Sequence, residues 1–168
     1  MTTLVFSDIL NGMKTAVVFY SYDGNSAFVA QQIKARLNAD LVQLYLKDEK
    51  KRGKVASIFW GGAMVFSRKN PPLKPYNFDP AAYDLIILGS PVWAGSPAPP
   101  LKTFLSQAPV TGKKLALFVC HGGGPGKSLE KFKALLPGSE IVSTADFVLP
   151  LKNKEETQQK ITEWVGKI

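Results

Sequence analysis

Three short segments of the chain combine residue types that could bind a phosphate group or a flat ring. The first, Ser21-Tyr22-Asp23-Gly24-Asn25-Ser26, places hydroxyl and amide groups directly before a predicted helix. Hydroxyls and backbone N–H groups at a helix N-terminus form an anion site, and Gly24 lets the chain turn tightly. The alternative is that Ser26 or Asn25 only caps the helix.

The other two segments differ from the first in composition. Residues 90–100 are rich in proline and contain Trp93, which predicts a rigid apolar wall that could stack against a ring. The alternative there is a tryptophan that covers the core. The third segment, His121-Gly122-Gly123-Gly124-Pro125-Gly126, has four glycines, so a ligand could touch its backbone directly. Ordinary loop glycines are the competing interpretation.

Apolar strands alternate with amphipathic helices along the chain. The predicted strands are Thr15–Tyr20, Leu41–Leu46, Asp84–Gly89, Leu115–Cys120 and a part of Ile141–Leu149. Helices are predicted over Ser26–Asn38, from Pro99-Pro100 onward, and around Leu129, Phe132 and Leu136. A last helix has Glu155 and Glu156 in its first turn. Such alternation implies a parallel sheet whose ligands bind at the carboxyl ends of its strands. Because the three segments follow the first, third and fourth strands, we expect them at one edge of the sheet.

The same segments resemble the flavodoxin family. VVFYSYDGNSAFV (residues 17–29) is similar to its phosphate loop, and LGSPVWAGSPAPPLKTFL (88–105) is similar to the flavin-ring loop of a short FMN-binding subfamily. FVCHGGGPGKSLEKF (118–132) is similar to the third flavin loop. The resemblance covers roughly residues 13–168. It implies an α/β, flavodoxin-like doubly wound parallel five-stranded sheet in the order 2-1-3-4-5, with helices on both faces and non-covalent FMN.

The resemblance also implies a role for each matching residue. The FMN phosphate would be surrounded by Ser21, Asp23, Gly24, Asn25 and Ser26. The isoalloxazine ring would be lined by Pro91, Val92, Trp93, Ala94 and Gly95, and its pyrimidine side approached by His121, Gly122 and Gly123. The protein would position and tune the flavin, so no catalytic side chain and no metal are implied. Asp23 departs from the family pattern, since a carboxylate repels a phosphate unless it turns outward or pairs with a basic group.

The net charge of +8 is concentrated in one region. Residues 47–74 contain eight Lys or Arg and two acidic residues, which is +6 in 28 positions. Such a patch can attract phosphates or acidic partners, and the alternative is a solvated basic loop. Aromatic residues are not interleaved with these charges as on a nucleic-acid platform, so no nucleic-acid partner is expected. Electron-shuttle flavodoxins are typically acidic, so the basic charge weakens the shuttle interpretation.

Two main functions stay open at this point. The chain is an FMN electron carrier with a redox partner protein, or an NAD(P)H-dependent FMN quinone reductase with a small-molecule acceptor. A cofactor-free flavodoxin-like binding module is a third interpretation, favoured by Asp23 alone. Whether the protein is an enzyme is left undecided by these patterns.

The sequence also predicts where the protein is located and where its domain begins. The single cysteine, Cys120, excludes an internal disulfide framework, and no apolar run reaches the ~20 residues of a membrane span. Met1–Gly12 lacks the basic start of a secretory signal, so a cytoplasmic location is expected. Met13-Lys14 directly precedes the first strand. We therefore predict a domain over residues 13–168 and a dispensable N-terminal extension over residues 1–12.

Overall fold

A computed structural model describes residues 12–49, 53–67 and 70–168. The predicted extension therefore lies outside the described residues except for Gly12. The strands are β1 (Thr15–Tyr20), β2 (Asp40–Leu44), β3 (Leu85–Trp93), β4 (Ser96–Pro97), β5 (Lys114–His121) and β6 (Glu140–Val148). The helices are α1 (Asn25–Leu37), α2 (Lys54–Phe66), α3 (Pro99–Gln107), α4 (Ser128–Ala134) and α5 (Lys154–Val165), with a 3-10 turn at Pro80–Ala82.

The five long strands form one parallel sheet in the order β2-β1-β3-β5-β6. Val17 of β1 pairs with Leu41 on one side and with Ile87 on the other, and Ile87 pairs with Ala116 of β5. Counted over the long strands alone this is the order 2-1-3-4-5, so the predicted fold class is confirmed. The reversal of strand order lies between β1 and β3, where doubly wound sheets bind their ligands.

Each face of the sheet is covered by helices. In β1, Val17 and Phe19 point into a core shared with α1 and α5, whereas Val18 and Tyr20 point into the core on the opposite face. Because both faces are buried, the central strands are unbroken apolar runs, as in Leu85–Leu88. No helix in the described ranges is both long enough and apolar enough to cross a membrane.

The basic region of the sequence contains a helix that the sequence analysis missed. Its interpretation as a solvated loop is wrong for Lys54–Phe66, which form α2. Two adjacent glycines, Gly61 and Gly62, argue against a helix by propensity. Packing overrides them, because Trp60 and Met64 rest on the core and Gly61 lies against the ring of Trp93.

Strand β3 runs further than predicted. It continues past Gly89 to Trp93 and turns back through the antiparallel strand β4. The turn uses left-handed backbone at Ala94 (φ 46°) and Gly95 (φ 66°), which is the geometry of a tight two-residue hairpin. The second predicted segment is therefore a hairpin rather than an open loop.

Candidate functional site

The three predicted segments meet at the carboxyl edge of the sheet. They border a cleft of about 110 Å³ between the ends of β1, β3 and β5. Seven of the predicted site residues line it, together with Cys120 and Leu149: Asp23, Asn25, Pro91, Val92, Trp93, His121 and Gly122. The remaining predicted residues, Ser21, Gly24, Ser26, Ala94, Gly95 and Gly123, belong to the same three segments without lining the cleft itself.

The turn from β1 into α1 is built around Gly24, whose φ of 91° is left-handed. The Ala27 N–H donates to Ser21 Oγ at 3.1 Å. Asn25 donates to the Asp23 carboxylate twice, from its backbone N–H (3.1 Å) and from Nδ2 (2.8 Å), and its Oδ1 accepts from the Leu151 N–H (3.0 Å). Neither Asn25 nor Ser26 caps the helix through its side chain, so the capping alternative fails.

Ser26 carries the observation that best fits an anion at this turn. Its hydroxyl is fully buried and makes no hydrogen bond to a described oxygen or nitrogen, although it lies near enough to the Cys120 thiol to lower the pKa of that thiol. A thiol is a weak hydrogen-bond partner, so a hydroxyl in this position at a helix start fits a phosphate oxygen as a better one. Asp23 is exposed, and its carboxylate is hydrogen-bonded to Asn25. An exposed carboxylate meets the first condition given above, that Asp23 turns outward, under which its charge tolerates a nearby phosphate.

The hairpin after β3 is held at its base by a buried serine. Ser90 Oγ donates to the Pro91 carbonyl (2.9 Å) and accepts from the Ala98 N–H (2.8 Å), which ties the outgoing strand to the start of α3. At the tip, Lys131 Nζ donates to Ser96 Oγ at 3.0 Å. Pro91 and Val92 thereby present a fixed wall to the cleft.

Trp93 both lines the cleft and joins an aromatic cluster. Its ring meets those of Tyr20 (5.5 Å), Tyr22 (6.1 Å) and Trp60 (5.4 Å) edge to face. A Cβ on Gly61 would lie 3.2 Å from the indole, so α2 approaches Trp93 as closely as glycine allows. The structure therefore contains elements of both interpretations of Trp93, a cleft wall and a packed residue. Trp60 was missed by the sequence analysis together with its helix.

Tyr20 ties this cluster to the chain that leads towards α2. Its hydroxyl donates to Glu49 Oε1 at 2.7 Å. Burial, then the hydrogen bond to Glu49, raises the pKa of Tyr20 far above its ordinary value. The phenol therefore stays protonated and remains a hydrogen-bond donor.

His121 is held by partners on both ring nitrogens. Nδ1 accepts from the Gly124 N–H at 2.8 Å, so the ring proton is assigned to Nε2, which faces Asp146 Oδ2 at 2.8 Å. Lys160 Nζ lies 3.4 Å from the other oxygen of Asp146. Burial acts to raise the pKa of Asp146, but the His121 hydrogen bond and Lys160 outweigh it and lower that pKa. Asp146 lies on β6, and no local pattern marked it as part of the site.

The glycine segment leaves space beside His121. A Cβ on Gly122 would meet only Leu149, at 3.5 Å, and one on Gly123 would meet nothing within 4 Å. Gly124 (φ 126°) and Gly126 (φ 51°) have backbone angles that favour glycine. Next to this segment, burial raises the pKa of Cys120 to about 12. The neighbouring Ser26 hydroxyl acts to lower this pKa, but burial has the larger effect. The Cys120 thiol is therefore neutral and a poor nucleophile.

Comparisons with known proteins agree with this geometry. A family model for NADPH-dependent FMN reductase matches residues 13–137. No curated protein matches the chain. A flavoprotein from Lactobacillus acidophilus, solved in complex with FMN, has a similar structure (TM-score 0.72, 24% identity, 86% of this chain and 98% of that chain).

Two further solved structures share the fold at lower similarity. A two-electron reduced flavodoxin from Megasphaera elsdenii superposes with a TM-score of 0.54 at 22% identity, over 92% of this chain and 99% of that one. The apo form of an NADH:FMN oxidoreductase superposes with a TM-score of 0.54 at 14% identity, over 90% and 88%. At these identities the likeness concerns the fold.

Proposed function

Because this chain belongs to the NADPH-dependent FMN reductase family, we propose that it binds FMN at the carboxyl edge of its sheet and oxidises NAD(P)H. Bound FMN would supply the chemistry, hydride acceptance from NAD(P)H and electron transfer to an acceptor, and the residues of the chain would position it. The proposal is carried by one observation, the meeting of the three flavin-type segments around a single cleft. We further propose the cytoplasm as its location.

The phosphate would lie at the turn into α1. Ser21, Gly24, Asn25 and Ser26 surround it in this proposal, and the buried Ser26 hydroxyl gains a stronger acceptor than the Cys120 thiol. Asp23 stays at the exposed side, where water screens its charge. The positive end of the α1 dipole adds to the attraction for the phosphate.

The ring would lie against the hairpin of β3 and β4. Pro91, Val92 and Trp93 form its wall, Ala94 and Gly95 form the tip, and Gly122 and Gly123 leave their backbone open to it. The cleft of about 110 Å³ is smaller than the 300–1,000 Å³ of typical ligand pockets. A bound ring must therefore extend beyond the cleft mouth or displace the hairpin.

His121 has a positioning role in this proposal. Both of its ring nitrogens already bond within the protein, to Asp146 and to the Gly124 N–H. The side chain thereby fixes the backbone of residues 122–124, which would face the pyrimidine side of the ring. We propose that His121 acts through this backbone and not through a hydrogen bond of its own to FMN.

The test separates a reductase from an electron carrier. The purified protein is loaded with FMN, the bound flavin is released and identified by chromatography, and NADPH and NADH oxidation is followed with a quinone acceptor. We expect FMN, not FAD, and steady turnover that depends on the acceptor. Recovery of FAD alone would overturn the cofactor assignment. In the other outcome, the protein binds FMN that a separate reductase reduces but that NAD(P)H does not. That result would establish the electron carrier, the alternative that the flavodoxin-like fold favours.

A further inference from the structure

The residues that precede and follow the α2 region pair with each other at Leu46 and Leu73. Leu46 and Leu73 form an antiparallel bridge. The Lys47 N–H donates to the Pro72 carbonyl at 2.9 Å, and the Lys74 N–H donates to the Tyr45 carbonyl at 2.8 Å. We call residues 45–74 the α2 excursion, of which 45–49, 53–67 and 70–74 are described. Lys47 and Lys74, whose side chains are exposed, therefore lie on the two paired segments at the base of the α2 excursion.

Helix α2 has apolar residues on its outer as well as its inner side. Trp60 and Met64 face inward and pack on the core. Phe59 and Phe66 are 74% and 78% exposed, and Ala56 and Ala63 are also exposed. Positions 56, 59, 63 and 66 follow one another at intervals of three and four, so these side chains form one stripe along the helix. We call it the outer stripe.

Lys54 at the first position is the one charged residue of α2. Between Val55 and Ser67 the sequence has no charged residue, although the α2 excursion carries a net +6. Tyr45, which is 47% exposed, lies at the base beside the two lysines. A solvent-facing apolar stripe of this kind marks an interaction surface rather than ordinary solvated helix.

We propose that the outer stripe of α2, together with Tyr45, Lys47 and Lys74, binds the surface of an anionic lipid bilayer, an inference that goes beyond the proposed redox function. The outer stripe enters the boundary between headgroups and acyl chains, and the lysines attract the acidic headgroups. Tyr45 lies where interfacial aromatic residues are favoured. With 13 residues, α2 is about 20 Å long, so it lies in the interface and does not cross the bilayer.

The charge distribution argues against a second copy of this chain as the occupant. Residues 47–74 carry a net +6 in the sequence, so two copies that paired through α2 would pair segments of like charge, which opposes pairing. An anionic bilayer instead supplies an apolar phase and negative charge to the same surface. Trp60 and Gly61 also connect α2 to Trp93, so the bound surface adjoins the wall of the cleft.

Vesicle flotation of the full-length protein with FMN tests the proposal. The probes are vesicles of phosphatidylcholine alone and of phosphatidylcholine with about 30% phosphatidylserine. We expect binding to the anionic vesicles only, and several-fold weaker binding at about 0.5 M NaCl. Phe59→Ser/Phe66→Ser and Lys47→Glu/Lys74→Glu should each reduce the bound fraction about tenfold.

A charge-matched control shows whether a loss of vesicle binding comes from this surface or from the change in net charge. Lys34→Glu/Lys167→Glu changes the net charge equally, but at exposed positions on α1 and beyond α5, on the opposite side of the sheet. That variant should bind like the wild type. Equal loss in it, equal binding to neutral vesicles, or no wild-type binding would each overturn the proposal. So would a wild-type dimer that Phe59→Ser/Phe66→Ser converts to a monomer while its melting temperature is unchanged.

Discussion

At the scale of single residues, His121 and Asp146 connect the glycine segment to β6. They are 25 positions apart, and the parallel pairing of β5 with β6 brings them to 2.8 Å. The carboxylate accepts from the ring, and the ring accepts from the Gly124 N–H. One acidic side chain therefore fixes the conformation of a backbone segment that belongs to the cleft.

Replacing Asp146 tests this connection through its pH dependence. The pKa of Asp146 is lowered in the folded state, so its contribution to stability is present above the unfolded pKa of about 4 and is lost as pH falls through the folded pKa. Asp146→Asn should lower the free energy of unfolding at pH 7 by about 0.5–1 kcal/mol. Its stability should fall less steeply below pH ~4. Urea unfolding at several pH values measures both effects.

Glu130→Gln provides the control for Asp146→Asn. Glu130 is exposed on α4, so Glu130→Gln removes the same charge without changing the pair of His121 and Asp146. If both variants show the same acid dependence as the wild type, Asp146 does not contribute as described.

Trp93 is the second residue whose role a pair of variants can resolve. Trp93→Ala should weaken FMN binding by about 1–3 kcal/mol, because an aromatic wall of the cleft is lost. Trp60→Ala removes its neighbour in the same aromatic cluster, which does not line the cleft. It should reduce thermal stability with a much smaller effect on FMN affinity. Fluorescence titration with FMN measures the affinities, and equal FMN affinity in Trp93→Ala and the wild type would make Trp93 a packing residue only.

At the scale of elements, the contact between β3 and β5 depends on one glycine. A Cβ on Gly89 would lie 2.0 Å from Cζ of Phe118, which is far inside the van der Waals contact distance of two non-bonded carbon atoms. Phe118 cannot easily move, because it is fully buried against Phe147 and Trp164. The absence of a side chain at Gly89 therefore gives the Phe118 ring its place in the core.

Two glycine-to-alanine changes should have opposite effects on stability. Gly89→Ala should destabilise the protein by about 1–3 kcal/mol through overpacking. Gly62→Ala places a methyl group on α2 where nothing lies within 4 Å, so it should stabilise by up to about 1 kcal/mol. Thermal or urea unfolding of both variants measures this, and a neutral Gly89→Ala would contradict the packing argument.

At the scale of the whole molecule, the described sheet is anchored from Lys14 onward. The Lys14 N–H donates to Asp84 Oδ2 at 2.8 Å, and the Lys14 carbonyl accepts from the Asp84 N–H at 2.8 Å. Met13 packs on the core that α1 and α5 share. The family match also begins at residue 13.

A chain that starts at Met13 should therefore keep its FMN affinity and melt within about 2 °C of the full chain, since a small change in ΔG moves the midpoint little. Calorimetry and FMN titration of the two proteins make the comparison. Aggregation of the shorter protein, or loss of its flavin, would show that residues 1–12 are a required element.

The sequence alone determined the long strands, the position of the three flavin-type segments and, through resemblance, the order of the sheet. These features depend on local patterns: runs such as Leu85–Leu88 are apolar enough to be buried on both faces, and segments that follow parallel strands must meet at one edge. Only the tertiary structure decided that α2 is a helix, because Gly61 and Gly62 oppose it locally and its contact with Trp93 is non-local. The same is true of the Asp146 partner of His121, which no spacing along the chain reveals.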